Sequence, residues 1–253
     1  VVAAASSWPL CRVKEAVAAA WGVPPNEQRI LRGVIELVDT DLVHDFGGKE
    51  LTMVRRPPEQ AKWLAEVRID AERLAEAPSH IRADREVVLS AVGRRGYMLE
   101  HATKELRGDR EVVLVAMRWN AEILAFATSE LLADRDFALA AVHQDGRAFQ
   151  WLAGGLRADR EVVLAAASQY GDLLEHAAEE LRADRAVVRA IVSQTGIALH
   201  CAAPALRDDW DIVLTAVAQN GAALEAAAMR LRASREVVLM AVSQDGTALK
   251  WAA

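Results

Sequence analysis

A 25-residue repeat runs through most of this 253-residue chain and constrains its fold more than any other feature. An Asp-Arg dipeptide, a glycine and a leucine-type residue each recur with this step. Residues at the same position of successive repeats are here called a column. The Asp column comprises Asp84, Asp109, Asp134, Asp159, Asp184 and Asp209, with Ser234 at the next position. The glycine column comprises Gly96, Gly146, Gly171, Gly196, Gly221 and Gly246, with Ala121 as the exception. Such regularity without insertions predicts a stack of small, similar units.

One repeat unit, for example residues 159–183, has the pattern of two short helices. Asp159 is predicted to cap the first helix, because its carboxylate can accept hydrogen bonds from the N–H groups of the first turn. Gly171 follows, where we expect a left-handed C-cap residue; where Ala121 replaces glycine, Asn120 is expected to take the positive φ. A second helix is predicted from apolar residues at helical spacing, namely Leu173, Leu174, Ala177, Ala178 and Leu181.

The composition agrees with close packing of short helices. Hydrophobic residues make up 53% of the chain but aromatic residues only 5%, and 50 residues are alanine. A helix of about ten residues is marginal alone, so each unit must cover its apolar stripe with its neighbours, and small side chains permit that. Only two cysteines are present, which excludes a disulfide scaffold, and no apolar run approaches the roughly 18–20 residues that a bilayer span requires.

We therefore expect a mainly α protein: an α-solenoid of about eight two-helix repeats over residues 57–253, preceded by a small α+β domain over residues 1–56. The predicted repeat units are 57–81 (a degenerate N-terminal cap with Trp63, Leu64, Val67, Leu74 and Ala77 in its core), 82–106, 107–131, 132–156, 157–181, 182–206, 207–231 and the truncated 232–253. No polar capping repeat follows the last unit, so we expect that the natural chain continues or that something covers this face. Because the sequence begins at Val1 without Met, a targeting segment is expected to be removed or to lie outside it, and the compartment stays open.

The repeat consensus is D-R-E-V-V-L-x-A-V-x-Q-x-G, clearest at residues 84–96, 159–171 and 235–246. It resembles a family of short two-helix repeats catalogued as a domain of unknown function, which occurs in tandem in algae, other protists and some giant viruses. The resemblance covers residues 82–253 and implies the repeat fold, without implying an activity.

The N-terminal segment lacks the repeat. The run V-K-E-A-V-A-A-A-W-G-V-P-P-N-E-Q-R-I-L at residues 13–31 indicates a helix ended by Gly22, and a short strand is predicted at Leu51–Val54. This run, with Lys49-Glu50 and Met53-Val54, resembles ubiquitin, and the resemblance covers roughly residues 2–56. It implies a β-grasp domain.

Three departures from ubiquitin qualify this resemblance. The first strand is missing before Val1, and no terminal Gly-Gly follows Val54, so the resemblance implies a built-in module and not a conjugated modifier. The receptor-binding patch of ubiquitin would centre on Leu31 and Val54 here. Thr52 and Arg32 depart from that patch.

Arginines form two columns, one starting at Arg82 and one at Arg85. They could form an anion-binding edge, since all first helices begin there, or an Asp–Arg ladder between adjacent units. The chain carries 30 basic and 36 acidic residues, a net charge of −6, and residues 1–56 contain seven of each, so the acidic excess lies in the repeats. The ladder is the preferred interpretation. Arginines whose charge is neutralised by neighbouring aspartates do not create the positive electrostatic potential that attracts nucleic acid, so we expect no nucleic-acid partner.

Two further columns have alternative interpretations. The first contains His101, Phe126, Trp151, His176, Cys201, Ala226 and Trp251. These residues could line a ligand groove or pack as core between stacked units, and the core is the preferred interpretation. The second is expected to cap carbonyls or to form a structural amide ladder; it contains Gln144, Gln169, Gln194, Gln219 and Gln244.

No catalytic site, cofactor or metal is expected. His200 and Cys201 are adjacent, which in a helix directs their side chains to different sides, and no other ligand has a recognised spacing. The G-x-S-x-G, P-loop, H-E-x-x-H and dinucleotide motifs are all missing from the sequence.

Binding residues are expected where the units differ. The candidates are Trp119, Glu122, His143, Arg147, Tyr170 and Trp210 in the repeats, with Leu31 and Val54 in the N-terminal segment. The favoured function is a non-catalytic subunit that presents an extended face to other protein subunits of a larger assembly. Two alternatives remain open: an adaptor of the ubiquitin system acting through residues 1–56, and a nucleic-acid or phosphate binder using the arginine columns.

Overall fold

The computed structural model describes residues 7–33, 35–42 and 51–253. It divides into two compact parts, Val1–Thr103 and Lys104–Ala253, here called the N-terminal body and the C-terminal body. Parts of the ubiquitin-like segment, including Lys49 and Glu50, lie outside the described residues. The domain boundary after residue 56 falls inside the N-terminal body and stays a prediction.

The N-terminal body begins with helix α1, Leu10–Trp21, which ends at Gly22 as predicted. Gly22 has φ +67°, a left-handed conformation that favours glycine, and its N–H donates to the carbonyl of Ala18. A 3₁₀ turn, Pro25–Glu27, then leads into the sheet.

The described sheet has three strands: β1, Gln28–Arg32; β2, Ile35–Glu36; and β3, Thr52–Arg55. Their order is β2-β1-β3 with antiparallel pairing, and the predicted third strand is shifted by one residue. Alternation along β1 directs Ile30 inward, where it joins a cluster on the apolar face of α1. This cluster contains Leu10, Val13, Val17, Ile30 and Leu37, with Trp8, Leu51 and Met53 packed against it.

Repeat residues complete the N-terminal body. Its further elements are α2, Pro58–Ile69; a 3₁₀ segment, Ala71–Glu76; α3, Ser79–Arg82; α4, Arg85–Arg94; and a 3₁₀ segment, Gly96–His101. Of the core residues predicted for unit 57–81, Leu64, Val67, Leu74 and Ala77 are buried. Trp63 is half-buried.

Arg56 links the sheet to the first repeat helices. Its side chain is only 7% exposed, and its Nη2 lies 2.6 Å from Glu36 Oε1 and 2.5 Å from Glu86 Oε1. Nη1 also donates to the carbonyl of Gln28 at 3.2 Å. A guanidinium can make all these bonds at once because its five N–H groups form a rigid fork.

The C-terminal body consists of repeat units throughout. Its α-helices are α5, Lys104–Arg107; α6, Arg110–Met117; α7, Ser129–Leu132; α8, Arg135–Gln144; α9, Arg160–Gln169; α10, Glu179–Arg182; α11, Arg185–Val192; α12, Trp210–Gln219; α13, Met229–Arg232; and α14, Arg235–Gln244. Its 3₁₀ segments are Ala121–Phe126, Gly146–Trp151, Gly154–Ala158, Gly171–His176, Gly196–Cys201, Gly221–Ala226 and Gly246–Trp251.

The first helix of each unit starts as the sequence predicts. Asp159 accepts hydrogen bonds from the N–H groups of Glu161 and Val162, at 3.0 and 3.1 Å. Val162, Val163, Ala166 and Ala167 then bury one face of α9. The Asp column is therefore a column of N-caps, although Ser234 makes no capping bond.

The second helix is not continuous, which corrects the two-helix pattern. Residues 171–176 form a 3₁₀ segment, Ala177 and Ala178 are extended, and only α10 is α-helical. The break frees the N–H of Ala178, which donates to the carbonyl of Arg157, the first residue of the same unit, at 2.8 Å. The corresponding bond recurs from Thr128 to Arg107, Ala153 to Leu132, Ala203 to Arg182, Ala228 to Arg207 and Ala253 to Arg232.

The glycine column does not adopt the predicted left-handed conformation. Among the described residues, only Gly22 and Gly33 have positive φ, and Asn120 is extended with φ −169°. Close approach of the next unit instead favours glycine at Gly146, Gly171, Gly196 and Gly221: a Cβ at Gly171, for example, would lie 2.7 Å from both Cβ and Cγ2 of Thr195. The glycine column thus lies where neighbouring units contact each other.

A candidate interaction surface in the C-terminal body

The edge at which the first helices begin carries paired charges. Each arginine contacts the capping aspartate 24 residues later, at 2.6 to 3.1 Å: Arg110–Asp134, Arg135–Asp159, Arg160–Asp184 and Arg185–Asp209. Arg135 and Arg185 also reach Glu161 and Asp211. The Asp–Arg ladder is therefore the arrangement of these arginines in this body. In the other arginine column, the buried Nε atoms of Arg107, Arg157, Arg182 and Arg207 have no hydrogen-bond partner among the described residues.

The opposite ends of these helices carry the amide ladder predicted from the glutamine column. Gln169 Oε1 accepts from the N–H of Gly146 at 2.9 Å, and Gln169 Nε2 donates to the carbonyl of Val142 at 2.7 Å. Gln219 bridges to Gly196 and Gln194 in the same way. The side chains of Gln169 and Gln219 thus each tie their unit to the preceding one.

A shallow groove of about 240 Å³ lies on this amide-ladder edge. We call it the edge groove. It is lined by Met117, Arg118, Trp119, Asn120, Gln144, Asp145, Arg147, Gln169 and Tyr170. These residues come from the C-terminal ends of α6, α8 and α9, which the repeat brings side by side.

Two exposed aromatic side chains belong to the edge groove. Trp119 is 57% exposed and Tyr170 is 42% exposed, which is unusual for such large apolar groups. The guanidinium carbon of Arg147 lies 5.8 Å from the centre of the Tyr170 ring, a cation–π distance.

Arg147 is held in place by Asp145. Arg147 Nη2 donates to Asp145 Oδ2 at 2.9 Å, and Nε lies 3.1 Å from Oδ1. Partial burial alone would raise the pKa of Asp145, but the hydrogen bonds from Arg147 lower it below its usual value. The same bonds raise the pKa of Arg147, so this pair stays ionised at neutral pH.

The edge groove brings together three of the predicted binding residues, Trp119, Arg147 and Tyr170. Glu122 is exposed and acts electrostatically on Arg147. His143, in the last turn of α8, is not among the lining residues. Trp210 is the first residue of α12 and thus belongs to the other edge.

The remaining predicted residues lie in the N-terminal body. Register pairs Leu31 with Thr52 and Val54 with Arg29, so Leu31 and Val54 share the sheet face opposite Ile30. Val54 is 41% exposed and Leu31 is half-buried.

Sequence reasoning missed the polar residues of the edge groove. Asn120 and Asp145 occupy the position before the glycine column, and each side chain accepts from the N–H two residues later, at 3.0 Å. An Asx residue before a turn is a recognisable capping signal that could have identified them. Gln144 and Gln169 were interpreted only as structural.

The column that contains Cys201 is mostly half-buried; Cys201 itself is 5% exposed. The expectation that His200 and Cys201 point to different sides is wrong, since His200 Nε2 lies 3.2 Å from Cys201 Sγ. Residues 196–201 form a 3₁₀ segment, and His200 bends back to contact the carbonyl of Ile197 through Nδ1 at 2.5 Å. Glu175 completes a group of possible metal ligands.

Comparison with known proteins agrees with the repeat geometry. Searches of curated proteins and of solved structures found no match. In the described parts of the chain, no helix is both long and apolar enough to span a membrane. A family model matches five times in tandem, over residues 67–107, 84–132, 109–157, 159–207 and 209–253. The matches cover most of the chain, which therefore belongs to the family described as Domain of unknown function (DUF4116).

Proposed function

We propose that this protein is a non-catalytic interaction subunit whose repeat units stack as an α-solenoid and whose edge groove binds another protein subunit of a larger assembly. The observation that carries this proposal is the grouping of Trp119, Arg147 and Tyr170 in one groove. These three residue types dominate binding energy at protein interfaces.

The regular bonding between units supports the α-solenoid. Within the C-terminal body, the same backbone bond, glutamine bridge and Asp–Arg pair recur from one unit to the next. Bonds that repeat at a constant step generate an array in which each unit contacts mainly its neighbours. Such an array is rigid enough to present a preformed groove.

The chemistry of the edge groove suits a polypeptide. Exposed faces of Trp119 and Tyr170 can cover an apolar side chain of the partner, while the amides of Asn120 and Gln144 can bond its backbone. The Arg147–Asp145 pair is neutral as a unit and Arg118 adds one positive charge to the lining, so the groove does not demand a strongly charged ligand. A small, open site of this kind is expected to be the centre of a larger contact.

Site-specific photo-crosslinking in native extract tests the proposal. A photoreactive amino acid replaces Arg118, which lines the edge groove and is exposed, and the matched control replaces Glu161 at the other end of α9. We expect the Arg118 probe to capture one partner in stoichiometric amount and the Glu161 probe to capture none.

The double variant W119A/Y170A provides a second test of the edge groove. We expect it to keep the circular dichroism spectrum of the wild type and to lose co-purification of that partner, because both side chains are exposed. Equal capture from Glu161, or retention of the partner by the double variant, would contradict the groove as the contact site.

A second candidate is the ubiquitin-system adaptor. It is favoured by the placement of Leu31 and Val54 on one accessible sheet face, and by an element order of helix, 3₁₀ turn and antiparallel strands that fits the resemblance to ubiquitin. Binding of a purified ubiquitin-receptor domain, followed by NMR, tests it. L31A and V54A should weaken binding while I35A, an exposed residue of β2, should not. Absence of binding by the wild type rejects this candidate.

A further inference from the structure

Three different metal-ligand side chains meet in the C-terminal body. The ligand atoms of Glu175, His200 and Cys201 all lie within 4.8 Å of one another. Glu175 belongs to one repeat unit and the other two residues to the next, so the group exists only because consecutive units stack. We propose that Glu175, His200 and Cys201 form a Zn²⁺ site that joins two successive repeat units.

The orientation of His200 supports this proposal. Its Nδ1 lies 2.5 Å from the carbonyl oxygen of Ile197, which can only accept a hydrogen bond, so the proton is on Nδ1. The lone pair of Nε2 then faces Cys201 Sγ at 3.2 Å, within hydrogen-bonding distance of the thiol. A zinc-binding histidine is usually fixed in this way, with its other ring N–H on a carbonyl or carboxylate.

The distances suit tetrahedral coordination. With bond lengths of about 2.3 Å to sulfur and about 2.0 Å to nitrogen, a tetrahedral zinc separates these two atoms by about 3.5 Å. Sγ and Nε2 therefore need to move apart by a few tenths of an ångström. The Glu175 carboxylate is on an exposed, rotatable side chain and can approach from solvent.

The local charge favours a divalent cation. The negative carboxylates of Glu175 and Asp172 interact electrostatically with Cys201, and the positive guanidinium of Arg182 opposes their effect. His176 is a further titratable neighbour, and its Nε2 lies 3.7 Å from Glu175 Oε1. Binding replaces the thiol proton, which passes to solvent, and forms a Zn–thiolate bond without any change of oxidation state.

A mixed sulfur, nitrogen and oxygen donor set selects among metals. It is typical of Zn²⁺ sites, whereas Mg²⁺ and Ca²⁺ prefer oxygen ligands alone. Three protein ligands leave the fourth position to water. Because Glu175 and His200 are exposed, the ion can enter directly from solvent.

Cobalt spectroscopy on the full chain, reduced and without a histidine tag, tests the site. We expect one equivalent of Co²⁺ to produce a thiolate-to-cobalt charge-transfer band and tetrahedral d–d bands, and Zn²⁺ to displace it. H200A and C201S should abolish the bands, with Zn²⁺ affinity reduced by more than about 100-fold, and E175Q should weaken binding. H200A changes an exposed residue, so circular dichroism should show an unaltered fold.

Two matched variants control for other metal ligands. C11S removes the exposed thiol, and H101A removes the histidine that follows Glu100 at the repeat position of Glu175-His176; both should bind as the wild type does. Zn²⁺ should also raise the melting temperature of the wild type and leave that of H200A unchanged. The proposal is overturned if the wild type gives no charge-transfer band, if C201S keeps it, or if C11S loses it.

Discussion

The guanidinium of Arg56 and the carboxylate of Glu86 form a bidentate contact, with Nη2 2.5 Å from Oε1 and Nε 3.2 Å from Oε2. Arg56 follows the last strand, and Glu86 lies in the first turn of α4, where the helix dipole favours a negative charge. The contact therefore joins the sheet to the repeat helices within the N-terminal body. Removal of either partner would leave a charge that is difficult to hydrate.

Replacement of Arg56 by Met should destabilise the N-terminal body. Loss of one partner from a buried pair costs roughly 3–5 kcal/mol, and because Glu36 and Glu86 are about one-third exposed we expect about 2–3 kcal/mol here. Urea denaturation followed by circular dichroism measures this change. The control R73M removes an exposed arginine that pairs with Glu76, and should cost less than about 1 kcal/mol. Equal effects of the two variants would refute the linking role of Arg56.

Replacement of Gln169 by Ala should weaken the contact between two repeat units. The variant leaves the N–H of Gly146 and the carbonyl of Val142 without their partners, which we expect to cost about 1–2 kcal/mol. Hydrogen exchange of the Gly146 amide should accelerate as a local sign of the same loss. Q150A, at an exposed glutamine outside the ladder, is the control and should leave both measurements unchanged.

The local parts of the fold could be predicted from the sequence. Asp159 as an N-cap and Gly22 as a C-cap depend on bonds within a few residues, and the 25-residue step identified the units. Trp119, Arg147 and Tyr170 could be selected from the sequence because they differ from the repeat consensus, and they line one groove; their role in binding stays a prediction.

Features that depend on contacts between residues distant in the repeat were missed. The break at Ala177 and Ala178 allows the N–H of Ala178 to donate to the carbonyl of Arg157 at the start of the same unit, and nothing in the apolar spacing indicates it. The convergence of His200 with Cys201 depends on the 3₁₀ geometry of their segment, which a helical projection does not contain. The glycine column was recognised, but its cause was assigned to φ and not to the neighbouring unit.

The glycine explanation gives a direct test in two adjacent units. A Cβ at Gly221 would lie 2.5 Å from the carbonyl oxygen of Ala241 and 3.1 Å from Gln244 Oε1, whereas a Cβ at Gly246 would have no neighbour within 4 Å. G221A should therefore lower the free energy of unfolding by about 1–3 kcal/mol, and G246A should change it little. If φ were the cause, both variants would be destabilised alike, so equal losses would contradict close approach.

Acid should destabilise the C-terminal body through its capping aspartates. Hydrogen bonds from Arg135 to Asp159 and from Arg185 to Asp209 lower the pKa of these carboxyls below the ordinary value of 3.8. A lowered folded-state pKa contributes stability that is complete above the unfolded value and is lost as the pH falls through the folded one. We therefore expect urea midpoints to be constant near neutral pH and to decline as the pH approaches and passes below 3.8.

The variant D159N separates this titration from general acid effects. Asparagine keeps an oxygen acceptor for the N–H groups of Glu161 and Val162 but carries no charge that protonation could remove. D159N should therefore be less stable than the wild type at neutral pH, because the contact with Arg135 is weakened, and the difference should shrink in acid. D172N, at an exposed aspartate that caps no helix, should follow the wild-type curve. A D159N curve that stays parallel to the wild-type curve down to the lowest pH would show that this carboxylate does not contribute to the acid transition.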